Sequence, residues 1–169
     1  MNTAELLADA FDRIREEVHA AAEGLSPEEL AFRPDDQANS IAWLVWHLTR
    51  VQDNHVADAA GLDQVWIAEG WYERFQLPFG KEETGYGHTA EQVASLAGVS
   101  LDRLRGYHDA VHQQTLTFVR ALDNAALDRV VDKQWTPHVT LGTRLISVIG
   151  DDLQHAGQAA YVRGLLHRR

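Results

Sequence analysis

Four segments of this sequence carry apolar residues at the three- and four-residue spacing of a helix, and no segment alternates convincingly at the two-residue spacing of a strand. The segments span residues 4–22, 40–60, 89–122 and 141–166. Each one has a single apolar face, and four such faces are buried together when they pack around a shared core. We therefore predict an all-α fold, a four-helix bundle that forms one domain over residues 1–169.

Local signals mark the ends of the predicted helices. Residues 26–29 read Ser-Pro-Glu-Glu, an N-cap followed by a proline in the first turn, which predicts a short helix after the first long one. Asn39 or Ser40 caps the second long helix, and Gly61 ends it. A capping box from Thr89 to Gln92 opens the third, and the fourth begins near residue 141.

The connections differ in character. Residues 62–88, between the second and third long helices, are rich in glycine and aromatic residues, and we expect short helical pieces within a long aromatic loop. Such a loop can form a pocket wall or cover one end of the bundle. Glycines at 98 and 106 are expected to bend the third helix, and residues 123–140 are expected to be a connection with one short turn.

The net charge and the absence of cysteine exclude several classes of partner and of chemistry. A net charge of -10 repels phosphate backbones and anionic lipid surfaces, so we expect neither nucleic acid nor membrane partners. The acidic, amphipathic start lacks the features of a signal peptide, which favours a cytoplasmic location. The sequence contains no cysteine, so a disulfide, a thiolate ligand and a cysteine nucleophile are excluded. Thiol chemistry would need a thiol from outside the chain.

The fourth predicted helix carries an anomaly. Asp151, Asp152 and His155 fall within the apolar stripe that we expect to face the core. Carboxylates are rarely buried unless they are paired or bind a metal, because desolvating an unpaired charge costs several kcal/mol or more. Asp151 and His155 are one helical turn apart, so their side chains can chelate one ion. The pattern predicts a metal site that needs a third ligand from another helix.

Several histidines compete for the role of third ligand. His47 flanks the apolar stripe of the second long helix, whereas His55 lies nearer its centre, and periodicity does not decide between them. His108 and His112 form a rival pair at chelating spacing, or else a solvated surface pair. The remaining histidines, at 19, 88, 138 and 167, are expected at the surface.

Two segments carry a resemblance to a known family. The second long helix contains SIAWLVWHLTRVQDNH and the fourth contains SVIGDDLQHAGQAAYVRGLL. In order, spacing and flanking residues they resemble the DinB-like metalloenzyme superfamily, and within it the mycothiol S-transferases. The resemblance implies that His47, Asp151 and His155 hold a divalent metal. Many members have histidine where this chain has Asp151, while mycothiol-dependent maleylpyruvate isomerases have an acidic residue there. A carboxylate suits zinc and also accepts other divalent ions.

The resemblance also implies an activity. A low-molecular-weight thiol, mycothiol, would be activated at a metal, expected to be zinc, and conjugated to an electrophile. Asp152 would orient a ligand histidine or act in catalysis, and Gln158 and Trp46 would line the co-substrate site. Three alternatives stay open: a hydrolase with Asp152 as base, a mycothiol-dependent isomerase, and a metal-binding scaffold without turnover. A homodimer through the first or third helix is a further expectation.

Overall fold

The computed structural model describes residues 1–168. Its helices and strands, in chain order, are α1 (Thr3–Ala22), α2 (Pro27–Leu30), α3 (Ile41–Ala60), α4 (Val65–Ala68), α5 (Trp71–Phe75), α6 (Ala90–Ala94), α7 (Leu101–Arg120), a 3-10 turn (Ala125–Asp128), β1 (Val130–Asp132), β2 (Val139–Thr140) and α8 (Leu141–Leu166). The prediction of an all-α fold is confirmed.

The four long helices form the bundle. Both α1 and α3 pack against α7 and α8, so α1 lies diagonally opposite α3. The core between them includes the fully buried side chains of Phe11, Ile14, Leu44 and Leu104. Within the described part of the chain, no helix combines the length and the apolar character needed to cross a membrane.

The predicted caps of α2 and α3 are confirmed. The hydroxyl of Ser26 accepts from the backbone N–H of Glu29 at 3.2 Å, and α2 begins at the following proline. Ser40 rather than Asn39 caps α3, because its hydroxyl accepts from Trp43 N at 3.1 Å. Gly61 ends α3 in the left-handed region at φ 68°, where a glycine lacks the steric penalty of a Cβ.

The prediction of one bent third helix from residue 89 to 122 was wrong. The capping box at Thr89 opens only α6, which ends at Ala94. Gly98 then adopts a φ of +85°, which breaks helical geometry, and the hydroxyl of Ser100 caps a new helix at Arg103 N. A glycine followed by a serine cap thus separates α6 from α7, where we expected a bend.

Both irregular connections contain regular structure. Residues 62–88 include α4 and α5, whose Trp66 and Phe75 are buried and pack on Tyr107 of α7 at ring-centroid distances of 4.9 and 5.9 Å. Residues 123–140 were expected to hold one short turn, and they also hold an antiparallel pair of strands, β1 and β2. This pair leads directly into α8.

Candidate metal centre

His47 lies on the most buried helix of the bundle. Its ring stacks on Trp43, one turn earlier in α3, at a centroid distance of 4.6 Å and an interplanar angle of 17°. Only 7% of the residue is exposed. Burial lowers the pKa of His47 below its usual value, although the hydrogen bond to a backbone carbonyl opposes this effect. The ring is therefore held in the neutral form that binds metals.

The backbone of residues 84 and 85 covers one edge of this histidine. Nδ1 of His47 lies 2.5 Å from the carbonyl oxygen of Thr84. A carbonyl only accepts, so Nδ1 must carry the proton and Nε2 keeps a free lone pair. At Gly85, φ is +102°, and a Cβ there would lie 2.6 Å from Nδ1 of His47. Only glycine allows so close an approach.

The α8 residues complete the group. Nε2 of His155 lies 3.7 Å from Oδ1 of Asp151, one turn away, and the other oxygen of Asp151 is buried without a hydrogen-bond partner. Nδ1 of His155 lies 2.8 Å from Oε1 of Gln158, so in this arrangement the amide oxygen accepts and Nε2 is again free. The His155 and His47 rings meet edge to face at 4.8 Å.

The structure thus brings His47, Asp151 and His155 together. One ligand atom from each lies within 4.8 Å of the others, and they are the one group of three such residues found in residues 1–168. Two free imidazole nitrogens and an unpartnered carboxylate oxygen are the donors that a divalent cation requires. Three protein ligands leave a further coordination position for a reactant. The residues present therefore fit a divalent metal.

The interior position of Asp152 differs from that of its neighbours. We expected Asp151, Asp152 and His155 all to face the core, but only Asp152 is fully buried, and 37% and 18% of the Asp151 and His155 side chains are exposed. Neither oxygen of Asp152 has a hydrogen-bond partner, and burial, reinforced by Asp151, raises its pKa well above the usual value. The hydrogen bonds that orient the two histidines come instead from Thr84 and Gln158.

Trp46 and His88 form the layer beside His47. Trp46 is 1% exposed, stacks on His88 at 5.7 Å and packs on Phe79 at 5.3 Å. The expectation that His88 lies at the surface was wrong, because its side chain is only 2% exposed and its Nδ1 accepts from Nε1 of Trp43 at 3.2 Å. Thr84, Gly85 and His88 were not predicted as residues of the site; the Gly-Tyr-Gly sequence at 85–87 was the available signal.

The rival histidines have other partners. Nδ1 of His55 accepts from Arg144 at 2.9 Å. His108 is fully buried with its Nδ1 3.0 Å from the hydroxyl of Thr49, and His112 is buried with its Nε2 3.0 Å from Asp12. The alternative of a solvated surface pair at 108 and 112 was therefore wrong.

Comparison with known proteins agrees with this architecture. The family model described as the DinB superfamily matches residues 10–159. A crystal structure described as a conserved protein of locus from Enterococcus faecalis is similar to this chain, with 30% sequence identity and a TM-score of 0.92. The alignment covers 100% of this chain and 99% of that one. No curated protein matches the sequence.

Proposed function

Because this chain belongs to the DinB superfamily, we propose that it is a divalent-metal-dependent S-transferase that conjugates a low-molecular-weight thiol, mycothiol, to electrophilic small molecules. The observation that carries the proposal is the convergence of His47, Asp151 and His155 within 4.8 Å. Two histidines and one carboxylate suit zinc, which is the metal that we propose.

The side chains around the group support this role. Thr84 and Gln158 hold the Nδ1 protons of His47 and His155, so both rings present Nε2. Trp43 stacks on His47 and contacts His155 edge to face at 6.5 Å, which keeps water from one side of the group. A bound divalent cation would supply the positive charge that favours deprotonation of a nearby thiol at neutral pH. The thiol must be a second substrate, since the chain has no cysteine.

The position of Asp152 favours transfer over hydrolysis. A hydrolase using this site would benefit from a solvent-accessible base beside it, the role that we considered for Asp152. Asp152 is 0% exposed, so it cannot reach a water molecule at the protein surface without movement of α8. An external thiol would need no such base, because a divalent metal held by the three residues would lower the thiol pKa enough for the proton to pass to solvent.

The proposal is tested by thiol conjugation. Purified protein is incubated with mycothiol and a chromogenic electrophile, with and without a chelator, and ester hydrolysis is measured in parallel. We expect conjugation that the chelator abolishes, that His155→Ala loses together with the metal, and that His167→Ala, a change at an exposed histidine just beyond α8, retains. Hydrolysis that needs the metal but ignores added thiol would overturn the transferase assignment.

The roles of Asp152, Gln158 and Trp46 are part of the same proposal. We propose that Gln158 lines the thiol site, that Trp46 forms the buried layer behind it, and that Asp152 supports catalysis from inside the bundle. Asp152→Asn should keep the metal and slow conjugation by about tenfold to a hundredfold, the usual range for a group behind the ligands. A loss of metal in this variant would mark Asp152 as a ligand instead.

A further inference from the structure

Arg50 is a fully buried cation one turn after His47. It is 0% exposed, and isolated burial of a charge is costly unless its donors are satisfied. Its guanidinium lies over the ring of Trp66, 5.0 Å from the centroid, and Nη1 donates to Gln64 Oε1 at 2.9 Å and to the Tyr107 hydroxyl at 3.2 Å. These contacts satisfy part of the hydrogen-bonding capacity of the buried guanidinium.

The guanidinium is fixed from the interior by an acid. Oδ2 of Asp53 lies 3.6 Å from Nη1 of Arg50 and accepts from the Tyr107 hydroxyl at 2.8 Å. The two oxygens of Asp53 also accept from the backbone N–H groups of Val65 and Trp66 at 2.9 and 2.8 Å, at the start of α4. Asp53 is thereby held rigidly, and it holds Arg50 in one orientation.

The outward side of the guanidinium holds the segment that covers the metal centre. Nε donates to the carbonyl of Glu83 at 3.1 Å, and Nη2 donates to the carbonyl of Lys81 at 3.2 Å. The next carbonyl along the chain, that of Thr84, accepts from Nδ1 of His47. Two residues of α3, three positions apart, therefore bind three carbonyls of one short backbone segment.

From this arrangement we propose that Arg50 is a positioning residue for His47. By fixing the carbonyls of residues 81 and 83, it places the Thr84 carbonyl on Nδ1 of His47, which keeps the ring in the tautomer whose Nε2 is free. The predicted effect on metal binding rests on the proposed function. The control of the His47 tautomer does not depend on that function.

The planar fork of arginine is central to the proposal. Its donors reach two carbonyls on one side while remaining in contact with Gln64, Tyr107 and Asp53 on the other. A lysine ammonium carries the same charge but concentrates its three donors at one point, so it cannot hold both sides. Arg50→Lys should therefore release the 81–84 backbone while keeping the net charge.

The test reads the His47 tautomer directly in metal-free protein. Two-bond proton–nitrogen correlation spectra of ¹⁵N-labelled protein distinguish Nδ1–H from Nε2–H imidazole. We expect a single Nδ1–H form in the wild type and a mixture of both tautomers in Arg50→Lys. We also expect the zinc dissociation constant, measured by competition with a chromogenic chelator, to rise about tenfold to a hundredfold in that variant. A pure Nδ1–H form in folded Arg50→Lys would overturn the proposal.

A matched control separates positioning from general stability. Arg33 also donates to backbone carbonyls, those of Ala38, Asp36 and Ala90, but none of these lies in the 81–84 segment. Arg33→Lys should leave the His47 tautomer unchanged at comparable thermal stability. A tautomer shift of equal size in Arg33→Lys would show a merely structural effect and overturn the proposal.

The test also covers an Arg50→Lys variant that does not fold and a wild type that binds no metal. If Arg50→Lys does not fold, Arg50→Gln serves in its place, because it removes the guanidinium donors to the carbonyls of Lys81 and Glu83 and keeps a polar side chain. An unchanged tautomer in that variant then overturns the proposal. If the wild type binds no metal but the tautomer shifts in Arg50→Lys, the proposed function fails and the positioning role stands.

Discussion

Replacing Gly85 by alanine should disrupt the candidate metal centre without changing any of its three proposed ligands. A Cβ at this position would lie 2.6 Å from Nδ1 of His47, about 0.8 Å closer than the 3.4 Å at which ordinary van der Waals contact begins. It would also lie 3.0 Å from Trp43 and 3.1 Å from Trp46. His47 cannot move away, because Trp43 stacks on its face, so the backbone of residues 84 and 85 must move.

The magnitude follows from three contributions. A φ of +102° costs an alanine about 1–2 kcal/mol relative to glycine. Forcing a methyl group against packed rings adds about 1–3 kcal/mol. Loss of the hydrogen bond from His47 to Thr84 adds about 1 kcal/mol. We therefore expect Gly85→Ala to lower the free energy of unfolding by about 3–6 kcal/mol in total and zinc affinity by about tenfold to a hundredfold.

Gly87→Ala provides the matched control. Gly87 also has a positive φ, +73°, but a Cβ there would meet nothing within 4 Å. Its replacement should cost only the backbone strain of about 1–2 kcal/mol and leave zinc affinity unchanged. Urea unfolding followed by circular dichroism and chelator competition measure both quantities. Equal losses of stability and affinity in the two variants would refute the argument from close approach.

Three other predictions concern pH, metal and the core. Burial lowers the pKa of His108 to about 3, so the folded state binds fewer protons than the unfolded state. The free energy of unfolding should therefore fall as the pH drops below about 6.5, by up to about 1.4 kcal/mol per pH unit. His108→Gln should reduce that slope between pH 6 and 4 in urea unfolding, and an identical slope would contradict the assignment. Zinc at about a hundred times its dissociation constant should stabilise the wild type by about 2.7 kcal/mol and His155→Ala by nothing, as thermal unfolding would show. Ile14→Ala, at a fully buried position, should cost about 2–5 kcal/mol, against less than about 0.5 kcal/mol for the exposed Ile146→Ala, and similar losses would refute the core assignment.

Local sequence determined three of the four long helices and the α8 part of the candidate centre. The apolar periodicity predicted α1, α3 and α8 to within one residue at each end. In α3 the serine cap and the terminal glycine fixed both ends, because each acts within one helical turn. The spacing of Asp151 and His155 likewise predicted that they share a turn of α8, since helix geometry alone brings residues four apart together.

Only the tertiary structure decided which residue of α3 joins the candidate metal centre. The rotation of α3 against α8 brings His47 to Asp151 and His155, whereas His55 is hydrogen-bonded to Arg144. The periodicity within α3 could not distinguish these two histidines. The cover over His47 depends on Arg50 binding carbonyls more than 30 positions away in the chain. Asp152 and Asp151 lie side by side in sequence, yet the first is fully buried and the second is partly exposed, because the packing of neighbouring helices sets which arc of α8 is buried.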